Sequence, residues 1–135
     1  MAVGLVIVSH SARLAEGVAE LARQMGHGQV AIAAAGGTPD GSLGTSIEKV
    51  LAALEQVAGP DGTLLLLDLG SAVMIAEMAM ETFTAEHDYR VVISTAPLVE
   101  GAVVAAVEAS IGNSLEEVAG AAEAAGALPK LHRDQ

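Results

Sequence analysis

The stretch Val3-Gly4-Leu5-Val6-Ile7-Val8-Ser9-His10-Ser11 decides how the chain is read. Val3 to Val8 is a continuous aliphatic run, the pattern of a strand buried on both faces of a parallel sheet. Polar Ser9-His10-Ser11 ends it. Leu14, Val18, Leu21 and Met25 then recur at helical spacing, with Arg13, Glu16, Glu20 and Arg23 on the other side. A buried strand running straight into an amphipathic helix is the opening half of a βαβ unit. The question for the rest of the chain is whether that half repeats.

It does. Gly26 and Gly28 close the first helix, and Val30 to Ala35 predicts a second strand, halted by Gly36-Gly37. A polar, Gly-rich loop reaches Gly44. Thr45 with Glu48 predicts a capping box for a second helix whose apolar stripe is Ile47, Val50, Leu51 and Leu54. Gly59-Pro60-Asp61-Gly62 is a turn, and Thr63 to Leu67 is a third strand that closes at Asp68. A Met-rich helix from Ser71 to about Ala85 and a fourth strand from Arg90 to Ser94 follow. Pro97 suits the first turn of a fourth helix, with Val99, Val103, Val104 and Val107 as its stripe. Ser114 with Glu117 caps an Ala-rich last helix to about Ala125, and 128–135 is expected to be a disordered tail. The order βαβαβαβαα predicts a single doubly wound α/β domain over 1–127, with a mainly parallel four-stranded sheet and right-handed crossovers. Strand order 2-1-3-4 is expected, because it sets His10 and Asp68 side by side at the switch point.

Composition narrows the function. The chain has 135 residues, and 52% are hydrophobic but only 1% aromatic, so the core must be built from Ala, Val, Leu, Ile and Met. Six Lys and Arg against 17 Asp and Glu leave a net charge of -11, which argues against nucleic acid and against an anionic membrane surface as partners. With no Cys, thiolate chemistry and disulfides are excluded. No apolar run approaches the roughly 20 residues of a membrane span, and Met1 leads into Val3 without a basic start, so a cytoplasmic domain is expected. The apolar surplus is assigned to protein contacts: a dimer face that includes the Ala-rich and Met-rich helices, and a docking ring with Leu69, Ala72 and Leu98.

In an open parallel sheet the working edge is the set of loops at the carboxyl ends of the strands. Here those ends are Ser9-His10-Ser11, Gly36-Gly37-Thr38, Asp68-Leu69-Gly70-Ser71 and Ser94-Thr95-Ala96-Pro97. His10 sits at a helix N-terminus, which favours an anion. A neutral imidazole there can act as a nucleophile if a carboxylate accepts its Nδ1–H and leaves the Nε2 lone pair exposed. Asp68 is the carboxylate at a strand end and so the candidate orienter of His10. Amides from Ser11 to Arg13, and the hydroxyls of Ser11, Thr38 and Ser71, could bind a phosphoryl group. Each feature has a plainer reading. His10 can be a helix-entry histidine with no chemistry, Asp68 a strand-end cap, and Gly36-Gly37-Thr38 a turn rather than a phosphate nest. No Walker loop and no Gly-x-Gly-x-x-Gly follow the first strand. His27, His87 and His132 lack metal-ligand spacing, so no metal is expected.

Taken together, Val8-Ser9-His10-Ser11, Ala35-Gly36-Gly37-Thr38, Gly44-Thr45-Ser46, Leu67-Asp68-Leu69-Gly70-Ser71-Ala72 and Pro97-Leu98-Val99-Glu100-Gly101-Ala102 carry a resemblance. In this order they resemble the phosphotransfer subunits of phosphoenolpyruvate-dependent dihydroxyacetone kinases, which are similar to the IIA domains of mannose-type sugar phosphotransferase systems. The resemblance covers nearly the whole chain, to about residue 125. It implies a cytoplasmic homodimer in which His10 takes a phosphoryl group from the phospho-histidine carrier HPr. That group passes to ADP, with Mg, held on the nucleotide subunit of the kinase, and the resulting ATP phosphorylates dihydroxyacetone. No cofactor binds this chain directly on that reading. The resemblance gives Asp68 as the strand-end Asp and Gly36, Gly37 and Thr38 as the loop facing the phosphoryl group. It also implies HPr and enzyme I as separate proteins. Mannose-type IIA domains carry a longer, Trp-containing version of the Asp68 motif, and the absence of Trp favours the kinase subunit. A IIA component of a sugar transporter and a non-catalytic dimerising module are the competing readings.

Overall fold

The aliphatic run that begins at Val3 forms one of the two inner strands of the sheet. In the computed structural model, which describes residues 2–133, β1 (Gly4–Ser9) lies between β2 (Ile32–Gly36) and β3 (Thr63–Leu67). Beyond β3, β4 (Val91–Ile93) completes a four-stranded sheet of order β2-β1-β3-β4, every pair parallel. This is the expected order. The helices are α1 (Ala12–Met25), α2 (Ile47–Val57), α3 (Val73–Glu86), α4 (Leu98–Ser110) and α5 (Leu115–Ala124).

Alternation along each strand divides the core. Leu5, Ile7, Leu64 and Leu66 pack with α1, α4 and α5, while Val6, Val8, Leu65 and Leu67 pack with α2 and α3. Burial on both faces is why β1 and β3 read as unbroken aliphatic runs.

Helix faces depart from the expectation. In α1 the buried residues are Ala15, Val18, Ala19 and Ala22, whereas Leu14, Leu21 and Met25 keep 43%, 44% and 41% of their surface. In α4 the buried set is Leu98, Gly101, Ala102, Ala105, Ala106 and Ala109, and Val99 and Val107 face outward. The cause is volume. The strands already supply bulky side chains, so only small ones fit between sheet and helix at native packing density. Gly101 marks the limit: a Cβ there would lie 2.7 Å from the Cβ of Ala96. Met74 and Met78 of α3 are also exposed.

Helix starts shift by small amounts. Ser46, not Thr45, caps α2: its hydroxyl accepts the Lys49 N–H at 3.3 Å and donates to Glu48 at 3.1 Å. The hydroxyl three residues before a free N–H takes the cap. Gly70–Ala72 forms a 3-10 turn, so α3 begins at Val73. The expected box at α5 is present, with Ser114 and Glu117 bonding each other's backbone N–H. The expected tail over 128–135 runs past the described residues at 134 and 135. No helix among the described residues is long and apolar enough to cross a membrane.

Candidate functional site

The site is an extension of the β1–β3 ladder. Val8 pairs with Leu67, and the next step places Ser9 opposite Asp68, whose N–H donates to the Val8 carbonyl at 3.1 Å. The Asp68 side chain crosses to the neighbouring strand end. Its Oδ1 accepts from His10 Nδ1 at 3.0 Å and from the Leu69 N–H at 2.7 Å. Its Oδ2 accepts the His10 N–H at 2.9 Å and the Ser9 hydroxyl at 3.0 Å, and lies 3.2 Å from His10 Nδ1.

This arrangement fixes the ring. A carboxylate only accepts, so Nδ1 of a neutral His10 carries the proton and Nε2 presents its lone pair. The Ser71 hydroxyl stands 3.0 Å from Nε2 and is placed to donate to it. Burial alone would raise the Asp68 pKa. The His10 N–H, the His10 ring and the Ser9 hydroxyl outweigh it and hold the carboxyl below its ordinary value. Asp68 is therefore an anion at neutral pH. Its side chain is 10% exposed against 28% for His10, so the carboxylate is sheltered and the ring is reachable.

Helix α1 starts at the same place. Ser11 is its N-cap, accepting the Leu14 N–H at 3.1 Å, and its own N–H donates to the Ser9 hydroxyl at 3.0 Å. The amides that follow have no intrahelical acceptor, and the positive end of the helix favours added negative charge at His10. Gly36 lets β2 come this close, since a Cβ there would sit 2.5 Å from the Ser11 carbonyl oxygen and 2.9 Å from Ala12 Cα.

The loop after β2 does not offer the nest that Gly36-Gly37-Thr38 suggests. The Gly37 N–H donates to the Ser9 carbonyl, and the Thr38 N–H to the Ser42 carbonyl. The Thr38 hydroxyl donates to Asp40 at 2.5 Å. Hydrogen bonds from Thr38 and Ser42 draw the Asp40 pKa down to about 2. The loop instead supports His10 from behind, where the Gly44 N–H bonds the His10 carbonyl at 2.8 Å. The Gly37 and Thr38 N–H groups are thus satisfied within the fold.

Of the sequence-derived site residues, the fold brings together His10, Asp68, Ser71 and Ser11; Gly36 and Gly37 lie behind them. Ala72 and Leu98, expected in a docking ring, are buried. The exposed apolar residues near the rim are Leu69 at 60%, Val73 and Met74. Beside Asp68 a crevice of about 380 Å³ opens between the ends of β3 and β4, lined by Leu67, Leu69, Val73, Ile93 and Ala96. Two partners of Asp68 escaped the sequence reading: the Ser9 hydroxyl and the Leu69 amide. A lone Ser closing an aliphatic strand next to His10 was the available signal for the first. Among the described residues no group of three or more His, Asp or Glu is placed to hold a metal ion.

Residues 4–119 match the family model described as PTS system fructose IIA component. The phosphoryl donor subunit DhaM of the PEP-dependent dihydroxyacetone kinase of Escherichia coli (strain K12) is 46% identical over 86% of this chain, which spans 25% of that relative. The corresponding subunit of kinase 2 of Listeria innocua is 35% identical over 86% of this chain and 93% of its own length. A crystal structure of the unknown function protein EF1359 superposes with a TM-score of 0.73 at 32% identity, covering 91% of this chain and 94% of that one. The chain spans about a quarter of the length of the enterobacterial relatives and nearly the full length of the Listeria one. It belongs to the EIIA-man family of phosphotransferase-system IIA components, among the phosphoryl donor subunits of dihydroxyacetone kinases.

Proposed function

We propose that the protein is a phosphoryl relay in which His10 Nε2 carries the phosphoryl group. The observation that carries the reading is the line of contacts Asp68–His10–Ser71, with Nδ1 held by the carboxylate and Nε2 turned to the rim. In the first step the Nε2 lone pair attacks the phosphorus of phospho-HPr in line. The new P–N bond forms as the P–N bond of the carrier's phospho-imidazole, protonated on its other nitrogen, breaks; the carrier imidazole leaves neutral and the His10 ring becomes an imidazolium beside the Asp68 carboxylate. No proton moves on this chain, because the proton stays on Nδ1, hydrogen-bonded to Asp68. In the second step a β-phosphate oxygen of ADP, held with Mg on the nucleotide subunit, displaces Nε2 and becomes part of ATP. That ATP then phosphorylates dihydroxyacetone on the kinase.

Such transfer needs positioning and charge screening more than covalent machinery. Asp68 supplies the positioning. The N-terminus of α1 and the hydroxyls of Ser71 and Ser11 supply donors for the phosphoryl oxygens. The exposed Leu69, Val73 and Met74 beside the ring suit a protein partner better than a small molecule in a deep pocket. The relay would act in the cytoplasm as a homodimer, with HPr and the nucleotide subunit as successive partners.

The test is labelling from phosphoenolpyruvate with enzyme I and HPr. An acid-labile, alkali-stable label is expected on the wild type and none on His10→Ala. Label persisting in that variant would sink the site, and no label on the wild type would favour a non-catalytic module. Because the matching family is also that of sugar-system IIA components, the acceptor is tested separately. ADP-loaded nucleotide subunit should drain the label, while transfer chiefly to a transporter IIB domain would favour the sugar-system reading.

A further inference from the structure

Ser9 closes β1 and is fully buried. Its neighbours on that side of the strand, Leu5 and Ile7, are aliphatic core residues, and a hydroxyl there gains nothing from packing. It is instead bonded in both senses. It donates to Asp68 Oδ2 at 3.0 Å and accepts the Ser11 N–H at 3.0 Å. Ser11 is the N-cap of α1, and His10 lies between the two serines. One hydroxyl thus ties together the carboxylate that holds the His10 ring and the backbone on which that ring is mounted.

We infer that Ser9 is a positioning residue for His10: its hydroxyl holds the Asp68 carboxylate in the orientation that keeps the imidazole proton on Nδ1. The reasoning is geometric. The Asp68 backbone is fixed by the sheet, but its carboxylate can still turn about its last torsion. Leu69 and His10 hold Oδ1, and the His10 N–H and Ser9 hydroxyl hold Oδ2. Of these donors, Ser9 is the side-chain group that takes no part in the ring itself. Without it Oδ2 keeps the His10 N–H and its longer 3.2 Å contact with Nδ1, the Ser11 N–H loses its acceptor, and the carboxylate is freer to turn away from Nδ1.

The kinetic arm of the test rests on the phosphoryl-relay reading; the spectroscopic arm does not. Ser9→Ala removes the hydroxyl, and Ser9→Cys keeps nearly its shape but leaves a weak donor. Nitrogen-15 NMR of the His10 ring reads the tautomer. The wild type is expected to hold the proton on Nδ1, and both variants to show a smaller Nδ1–H fraction while still melting in one cooperative transition. Phosphoryl uptake from phospho-HPr is expected to fall about tenfold in both, by analogy with the low end of the loss when a metal-ligating histidine is deprived of its outer hydrogen-bond partner. Wild-type ring spectra in both variants overturn the role of Ser9. Wild-type spectra in Cys with altered ones in Ala overturn it as well, because packing would then be the cause. A wild-type protein that takes up no phosphoryl group overturns the relay reading, while the ring spectra still decide Ser9.

Discussion

Replacing Asp68 by Asn keeps the side-chain shape and turns one oxygen into an NH₂ group. Whichever oxygen is replaced, the amide hydrogens meet a backbone donor: the His10 N–H at the 2.9 Å position or the Leu69 N–H at the 2.7 Å position. One sheltered donor is left without a partner, at a cost of about 1–3 kcal/mol. For a domain of this size that lowers the melting temperature by roughly 4–12 °C. The kinetic loss is larger. The Asn NH₂ can donate to Nδ1, which forces the ring proton onto Nε2, where it blocks the attacking lone pair. Exchanging an orienting carboxylate for its amide costs about 10⁴-fold in rate where it has been isolated, and a loss of at least about 10³-fold is expected here. Single-turnover uptake from phospho-HPr measures the rate, calorimetry the stability, and nitrogen-15 NMR the tautomer. Uptake within a few-fold of wild type, with the ring still protonated on Nδ1, would refute the reasoning.

Gly36→Ala should cost about 2–4 kcal/mol, because the new Cβ would overlap the Ser11 carbonyl and Ala12, and it should slow phosphoryl uptake by displacing the start of α1; a variant with the wild-type melting temperature would contradict this. Stability should fall as the pH drops below the ordinary Asp range. Asp68 and Asp40 both have folded pKa values below their unfolded ones, so their contribution is present above the unfolded value of 3.8 and is lost as pH falls through the folded values, about 2 for Asp40. Urea midpoints between pH 5 and 2 test this, and a midpoint that rises on acidification would contradict it. Leu21→Gln should change monomer stability by less than about 0.5 kcal/mol, whereas Leu54→Gln, at a fully buried position, should cost several times more; equal effects in thermal melts would show that the face of α1 is wrongly assigned.

Strands were legible because burial on both faces leaves no polar interruptions, so Val3 to Val8 and Thr63 to Leu67 announce themselves. Helix faces were not. Periodicity gives the largest apolar residues to the core, yet Ala15, Ala19 and Ala22 lie under Leu14 and Leu21, and Ala105 and Ala106 under Val107. The controlling quantity is the space left over the sheet, and one helix read alone does not contain it. Adjacent hydroxyls posed a similar problem: Thr45 and Ser46 are both competent caps, and geometry chose the second. His10 and Asp68 were legible from the strand-end rule. The self-satisfied loop at Thr38 was not, because the pairing of its amides with Ser9 and Ser42 depends on where the chain turns.

The ladder that carries Asp68 onto Val8 has a consequence for motion. Ser9 ends one of the two inner strands and Asp68 directly follows the other, and the hydrogen bonds of such strands in most folds open only when the whole domain unfolds. Amide hydrogens at His10 and Asp68 should therefore exchange with solvent about as slowly as those of the core strands. A site built into the slowest-opening part of the fold cannot adapt to successive partners by rearranging. On the proposed relay the adaptation would fall to the visiting proteins, with one template for both the delivery of the phosphoryl group and its removal.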